Sequence, residues 1–252
     1  MIIIANWKMN PLNQQRIELF SENFYNGIKS AQNIEIVICP PFIFLSALFG
    51  LMGAKMNLNN IFLGGQNCFW EQEGAYTGEV SPTMLKNLGC SYVIIGHSER
   101  RQYLKEDDEI VNKKIIASLR ARLRPILCVG ERTNEEMAIT LEKQVRTGLQ
   151  NVTATQIGNL IIAYEPVWAI GTGDACSSAQ AVEAALFIKR ILTQMYDRKI
   201  AEKIKIIYGG SVDDKNALEY ARDGIDGFLV GGASLNVSKF IKIVNNISQV
   251  LK

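Results

Sequence analysis

The chain has 252 residues, 48% of them hydrophobic and 21% charged, with a formal net charge of +2. That is the profile of a globule with room for a sizeable core, without the charge excess that draws a protein to nucleic acid or an anionic membrane. Five cysteines, at 39, 68, 90, 128 and 176, are odd in number and show no C-x-x-C spacing, so neither a disulfide framework nor a zinc knuckle is indicated and a reducing cytoplasm is the expected compartment.

The N-terminal MIIIANWKMN has no basic n-region, and its apolar run is too short for a signal peptide. IIIAN (2–6) is the first short apolar run, and Ile17, Phe20, Phe24 and Ile28 follow as a helical stripe. IEIVIC (34–39) leads into the longest apolar stretch, residues 40–54. That stretch is shorter than the roughly 20 residues a membrane span needs. It reads as a strand end, a turn and a well-buried helix, with a membrane-surface or partner-binding helix as the alternative. IFLGGQN (61–67) precedes a long polar segment. Ser81-Pro82 then opens a short helix that Gly89 can stop. YVIIG (92–96) and PILCVG (125–130) come next, and Arg120, Arg122 and Arg124 between them read as a solvated helix end. Met137, Leu141, Val145 and Leu149 form a stripe at spacing four. LIIAYE (160–165) follows, and Ser177 with Gln180 gives a capping box. That box starts a helix marked by Val182, Leu186, Ile188, Ile191, Leu192 and Met195. IKIIYG (204–209) and DGFLVGG (226–232) complete the set.

Eight runs rich in Ile and Val, without polar alternation, suit strands buried on both faces of a parallel sheet. Strand and helix alternate with no Pro/Gly/Ser linker and no composition break, so the expected architecture is α/β, a closed (βα)8 TIM barrel forming a single domain over 1–252. An open doubly wound sheet is the competing arrangement. Against it, no G-x-G-x-x-G follows the first run, and no G-x-x-x-x-G-K-[ST] occurs.

In such barrels the active site lies at the C-terminal ends of the strands. Asn6 and Lys8 follow the first run, and His97, Ser98 and Glu99 the fourth. Glu165 ends the sixth, GGS (209–211) the seventh and Gly231-Gly232 the eighth. His97 is the only histidine. At what reads as a helix start, the positive end of the helix dipole favours a neutral imidazole able to donate to a carbonyl, although a lone histidine is more often structural. A carboxylate at the tip of a buried strand needs a use or a partner. Glu165 is therefore either a general base or one half of an ion pair with Lys8, Arg100 or another rim cation. Lys8 either stabilises developing negative charge or is a solvated strand-end lysine. Glycine pairs after strands seven and eight either make tight turns or cradle a phosphate with their amides, and two pairs on adjacent strands favour phosphate. Residues 166–176 read as a lid, stiffened at Pro166 and given freedom by Gly171 and Gly173.

In order and spacing, ANWKMN, GHSERR, CVGE, AYEPVWAIGTG, YGGSV and LVGGASL resemble the triosephosphate isomerase family, over residues 2 to about 240. The resemblance implies interconversion of dihydroxyacetone phosphate and D-glyceraldehyde 3-phosphate through an enediolate, without metal or cofactor. It assigns Glu165 as the proton carrier and His97 as a neutral electrophile. Lys8 becomes an electrostatic partner, and Asn6 a lining residue. Gly171, Ser211, Gly231 and Gly232 fall on phosphate-binding positions. Glu99 and Cys128, with Ser98 of the same motif, read as supporting residues. The family is usually a homodimer in which the segment here reading QNCFWEQEGAYTGE (66–79) plugs into the partner, carrying Thr77 to the partner's site; a plain long surface loop is the alternative. No nucleic acid or membrane partner is implied. Asp174-Ala175-Cys176 and the absence of a proline beside Ser177-Ser178 depart from the family's usual lid ending. The segment with Phe49, Leu51 and Met52 is unusually apolar, fit to cover core or to widen an interface.

Three other readings compete. A barrel aldolase could form a Schiff base at Lys8, and an inactive barrel could serve as a binding module. A serine hydrolase on Ser98 is poor, because GHSER lacks the second glycine of G-x-S-x-G and the sole histidine is its direct neighbour.

Overall fold

The computed structural model describes residues 1–10, 13–28, 33–56, 60–169 and 176–250. They form β1 (Ile2–Asn6), α1 (Gln14–Gly27), β2 (Glu35–Cys39), α2 (Phe42–Met56), β3 (Ile61–Gly65), α3 (Pro82–Asn87) and β4 (Cys90–Ile95). After these come α4 (Ser98–Tyr103), α5 (Asp108–Arg120), β5 (Arg124–Val129), α6 (Met137–Gly148), α7 (Ala154–Ile157) and β6 (Ile161–Tyr164). The chain ends with α8 (Ser178–Met195), α9 (Arg198–Lys203), β7 (Lys205–Tyr208), α10 (Ala217–Arg222), β8 (Gly227–Val230) and α11 (Val237–Val250). Every strand is parallel to its neighbours, and β8 pairs with β1. The barrel is closed, as the eight doubly buried runs require, and each strand lies within two residues of its apolar run at either end.

Burial explains why those runs do not alternate. Ile2 and Ile4 of β1 point into the barrel, where they meet Val37, Ile94, Ile126, Ile161 and Ile207. Ile3 and Ala5, one residue out of phase, face the helices. Both layers are dry, so both parities must be apolar. Among the helices, Ser81 accepts from the Met84 amide to cap α3, and Ser177 with Gln180 forms the capping box of α8.

Three expectations need correction. The buried face of α8 is Ala181, Ala184, Ile188, Ile191 and Leu192. Leu186 is 65% exposed, because it lies on the flank of a stripe that actually runs through the alanines. The helix α2 is not well buried. Leu45, Leu48 and Met52 reach the core, but Ile43, Phe49 and Leu51 are exposed, so its apolar residues run all round a helix that has only one inward face. Arg124 does not sit in a solvated helix end. It opens β5 and reaches Glu35 across the N-terminal mouth of the barrel. Among the described residues no helix is long and apolar enough to cross a membrane.

Candidate active site

The C-terminal ends of β1, β4, β7 and β8 surround a cleft of about 400 Å³, lined by Asn6, Lys8, His97, the turn 209–211, Gly231 and Gly232. Parallel strands all end on this rim, which is why residues distant in sequence meet here. Lys8 has a φ of 52°, unusual for a side-chain-bearing residue. The Asn6 side chain holds this turn by accepting from the Lys8 amide at 3.0 Å, and Gln66 supports it by donating to the Lys8 carbonyl at 2.8 Å.

His97 sits immediately before α4 and is 6% exposed. Its Nδ1 accepts from the Glu99 amide at 3.3 Å. An acceptor nitrogen carries no proton, so the neutral ring bears its single proton on Nε2. That Nε2 lies 3.5 Å from Glu165 Oε1.

Glu165 directly follows β6 and is 1% exposed. Its Oε2 accepts from the Ser98 amide at 3.1 Å, while Oε1 has no hydrogen-bond partner among the described residues. The two rim cations named as candidate partners, Lys8 and Arg100, are engaged elsewhere. Lys8 Nζ is 2.7 Å from Glu99 Oε1, and Arg100 pairs with Glu106. Neither Lys8 nor Arg100 pairs with Glu165. Its side chain fits because residue 209 is glycine: a Cβ there would stand 2.8 Å from Glu165 Cγ. Cys128, inside the barrel, stays a neutral thiol. Burial pushes its pKa well up, and the charge of Glu165 adds to the shift.

The cleft brings together Asn6, Lys8, His97, Ser211, Gly231 and Gly232 from the expected set. Ser98 and Glu99 act at its margin through Glu165 and Lys8. Gly171, Gly173, Asp174 and Ala175 lie outside the described residues. Thr77 is exposed on the 66–79 segment and does not line the cleft within this chain.

Several participants went unassigned in the sequence. Arg101 binds Asp108 and the Gly96 carbonyl, fixing the turn that presents His97. Glu131 accepts from Tyr164 Oη at 3.1 Å and Trp168 Nε1 at 2.8 Å, tying down the chain beyond Glu165. Both lie inside quoted motifs, as the second arginine of GHSERR and the acid of CVGE. Asn236 and Lys239 line the cleft beyond Gly232 and carry no motif that marks them.

This geometry has close counterparts. A family profile described as "Triosephosphate isomerase" matches residues 1–247. The triosephosphate isomerase of Dictyoglomus thermophilum is 48% identical over 252 residues, covering 97% of this chain and 98% of the relative. That of Geotalea uraniireducens is 46% identical over 248 residues, covering 96% and 97%. The crystal structure of triosephosphate isomerase from Bartonella henselae superposes with a TM-score of 0.85 at 38% identity, with 98% of each chain covered. With a closed eight-stranded barrel, these strand-end residues and a match along nearly its whole length, the chain belongs to the triosephosphate isomerase family.

Proposed function

We propose that the chain interconverts dihydroxyacetone phosphate and D-glyceraldehyde 3-phosphate by carrying one proton between adjacent carbons through an enediolate. The observation that bears most weight is the Glu165 oxygen Oε1, buried, without a hydrogen-bond donor among the described residues and 3.5 Å from His97 Nε2. A carboxylate oxygen left free beside a donor is arranged to accept a proton from a third party.

In this mechanism Glu165 takes the proton from the carbon next to the carbonyl and returns it to the neighbouring carbon. Meanwhile Oε2 stays anchored on the Ser98 amide. His97 donates from Nε2 to the carbonyl oxygen as negative charge builds there, and Lys8 adds positive charge from the same side. Asn6 maintains the turn that aims Lys8. The phosphate rests against 209–211 and the 231–232 amides, with Lys239 at the outer edge of the cleft. The steps use this chain's own side chains and no cofactor. Lys8 Nζ is engaged by Glu99 Oε1 at 2.7 Å rather than standing free to attack a carbonyl.

The test is isomerisation of glyceraldehyde 3-phosphate in deuterated water with no added metal. Deuterium is expected at the carbon next to the carbonyl, with inorganic phosphate competing against substrate. Absence of turnover would remove the reading. The reading extends to a homodimer built through the 66–79 segment, whose residues 71–79 are exposed in the single chain. Sedimentation at the mass of one 28.1 kDa chain would refute that extension.

A further inference from the structure

Beyond the catalytic pair, a dense construction of buried groups surrounds the main chain of one residue, Cys176. Tyr208 ends β7, and its hydroxyl accepts from the Cys176 amide at 3.3 Å. Tyr220, on α10, donates its hydroxyl to the Cys176 carbonyl. The two rings stack on each other, with centroids 4.6 Å apart and planes inclined by 18°. Tyr220 also meets Phe228 of β8 edge-on, at 6.4 Å and 77°. Tyr208, Tyr220 and Cys176 are 0%, 3% and 2% exposed. A second link joins the same two segments, from Ser178 Oγ to Glu219 Oε1 at 2.9 Å.

Phenylalanines would fill this space as well by area alone. A buried hydroxyl is costly unless it is bonded, and here the two hydroxyls take the N–H and the C=O of the same residue. The pair thus clamps the main chain of Cys176 from both its N–H and its C=O.

The clamp is continuous with the cleft. Tyr208 is followed directly by the turn 209–211, which lines the cleft. A Cβ on Gly210 would fall 2.1 Å from the Tyr208 hydroxyl oxygen, so the turn and the hydroxyl are packed as one object. Ser211 closes the other side by donating to the Ala169 carbonyl at 2.9 Å. Displacing the Tyr208 ring would therefore displace the turn that lines the cleft.

We propose that Tyr220 is a positioning residue for recognition of the substrate's phosphate: by holding the Cys176 carbonyl and stacking on Tyr208, it fixes the turn 209–211 in the orientation that faces the anion. The inference rests on the phosphate-isomerase reading above. Tyr220 does not line the cleft itself and acts only through Tyr208 and Cys176.

Tyr220→Phe removes a single oxygen and keeps both ring contacts. Its KM for glyceraldehyde 3-phosphate and its inhibition constant for inorganic phosphate are each expected to rise about fivefold, the ratio set by one lost hydrogen bond. Turnover of D-glyceraldehyde, which has no phosphate, is expected to stay at the wild-type level. Equal losses on both substrates, or a lowered melting temperature with unchanged KM and phosphate inhibition, would overturn the proposal in favour of a purely structural tyrosine. A second measurement uses the wild type: adding inorganic phosphate should slow amide hydrogen exchange at Cys176, and indifference there counts equally against the role. A wild-type chain inactive on glyceraldehyde 3-phosphate refutes the isomerase reading. An active wild type with an unaltered Tyr220→Phe refutes only the positioning role.

Discussion

The two mouths of the barrel each hold a glutamate, and the two are treated in opposite ways. At the N-terminal mouth, Glu35 Oε1 accepts from Arg124 at 2.8 Å and from the Tyr92 hydroxyl at 3.2 Å, while Oε2 binds Lys205. Burial alone would push the Glu35 carboxyl up, but the hydrogen bonds and charges of Lys205 and Arg124 outweigh it and hold the group below the usual carboxylate range. At the C-terminal mouth, Glu165 is more deeply buried yet has one amide on Oε2 and, among the described residues, no hydrogen bond on Oε1. A saturated carboxylate is a fastener, because its proton affinity is already spent on fixed partners. One left half-satisfied beside a ring N–H keeps a lone pair for chemistry at some cost in stability.

Breaking the unsaturated end should have the largest effect. Glu165→Gln is expected to lower isomerase turnover about a thousandfold, within the range for loss of a general base. Its melting temperature is not expected to fall, since no ion pair is broken. A destabilised variant that keeps its turnover would invert the contrast between the mouths. A smaller effect is expected at the anion wall. A Cβ on Gly232 meets no heavy atom of the described residues within 4 Å, so Gly232→Val is expected to fold normally. KM for the phosphorylated substrate and the inhibition constant for phosphate should each rise roughly tenfold; unchanged phosphate inhibition would move the anion site elsewhere.

The saturated end should leave kinetics alone. Glu35→Gln is expected to cost about 1–2 kcal/mol of stability at neutral pH, with turnover unchanged. Because the folded carboxyl sits below its ordinary value of 4.5, its contribution is fully present above that pH and is lost as pH falls through the lower folded value. Melting curves of wild type and variant should therefore converge in acid below about 4.5. A gap that persists or widens there would mean that the charge of Glu35 is not what the cluster uses.

Much of the molecule was legible in the linear chain. Eight apolar runs without polar alternation required strands covered on two faces, and the closed barrel follows from their number and parallel sense. The motif residues at strand ends pointed to one rim, because parallel strands deliver their C-termini to one side. Less legible were features that depend on which face turns inward. Leu186 reads as core by spacing yet is exposed, and α2 is apolar on more faces than it can bury. Arg124 looked like part of a solvated run until β2 and β5 placed it against Glu35.

The sequence by itself determined the architecture and the chemical inventory of the site: one histidine, one strand-end glutamate, one lysine and paired glycines. Tertiary structure alone decided how those groups are satisfied. Whether a carboxylate is a fastener or a base depends on which donors lie within about 3 Å of its oxygens. Those donors come from elements far away in the chain, such as the Ser98 amide for Glu165 and the Lys205 ammonium for Glu35, 67 and 170 positions away. Hydrogen bonding is local in space and blind to sequence separation, so its pattern exists only once the barrel has closed.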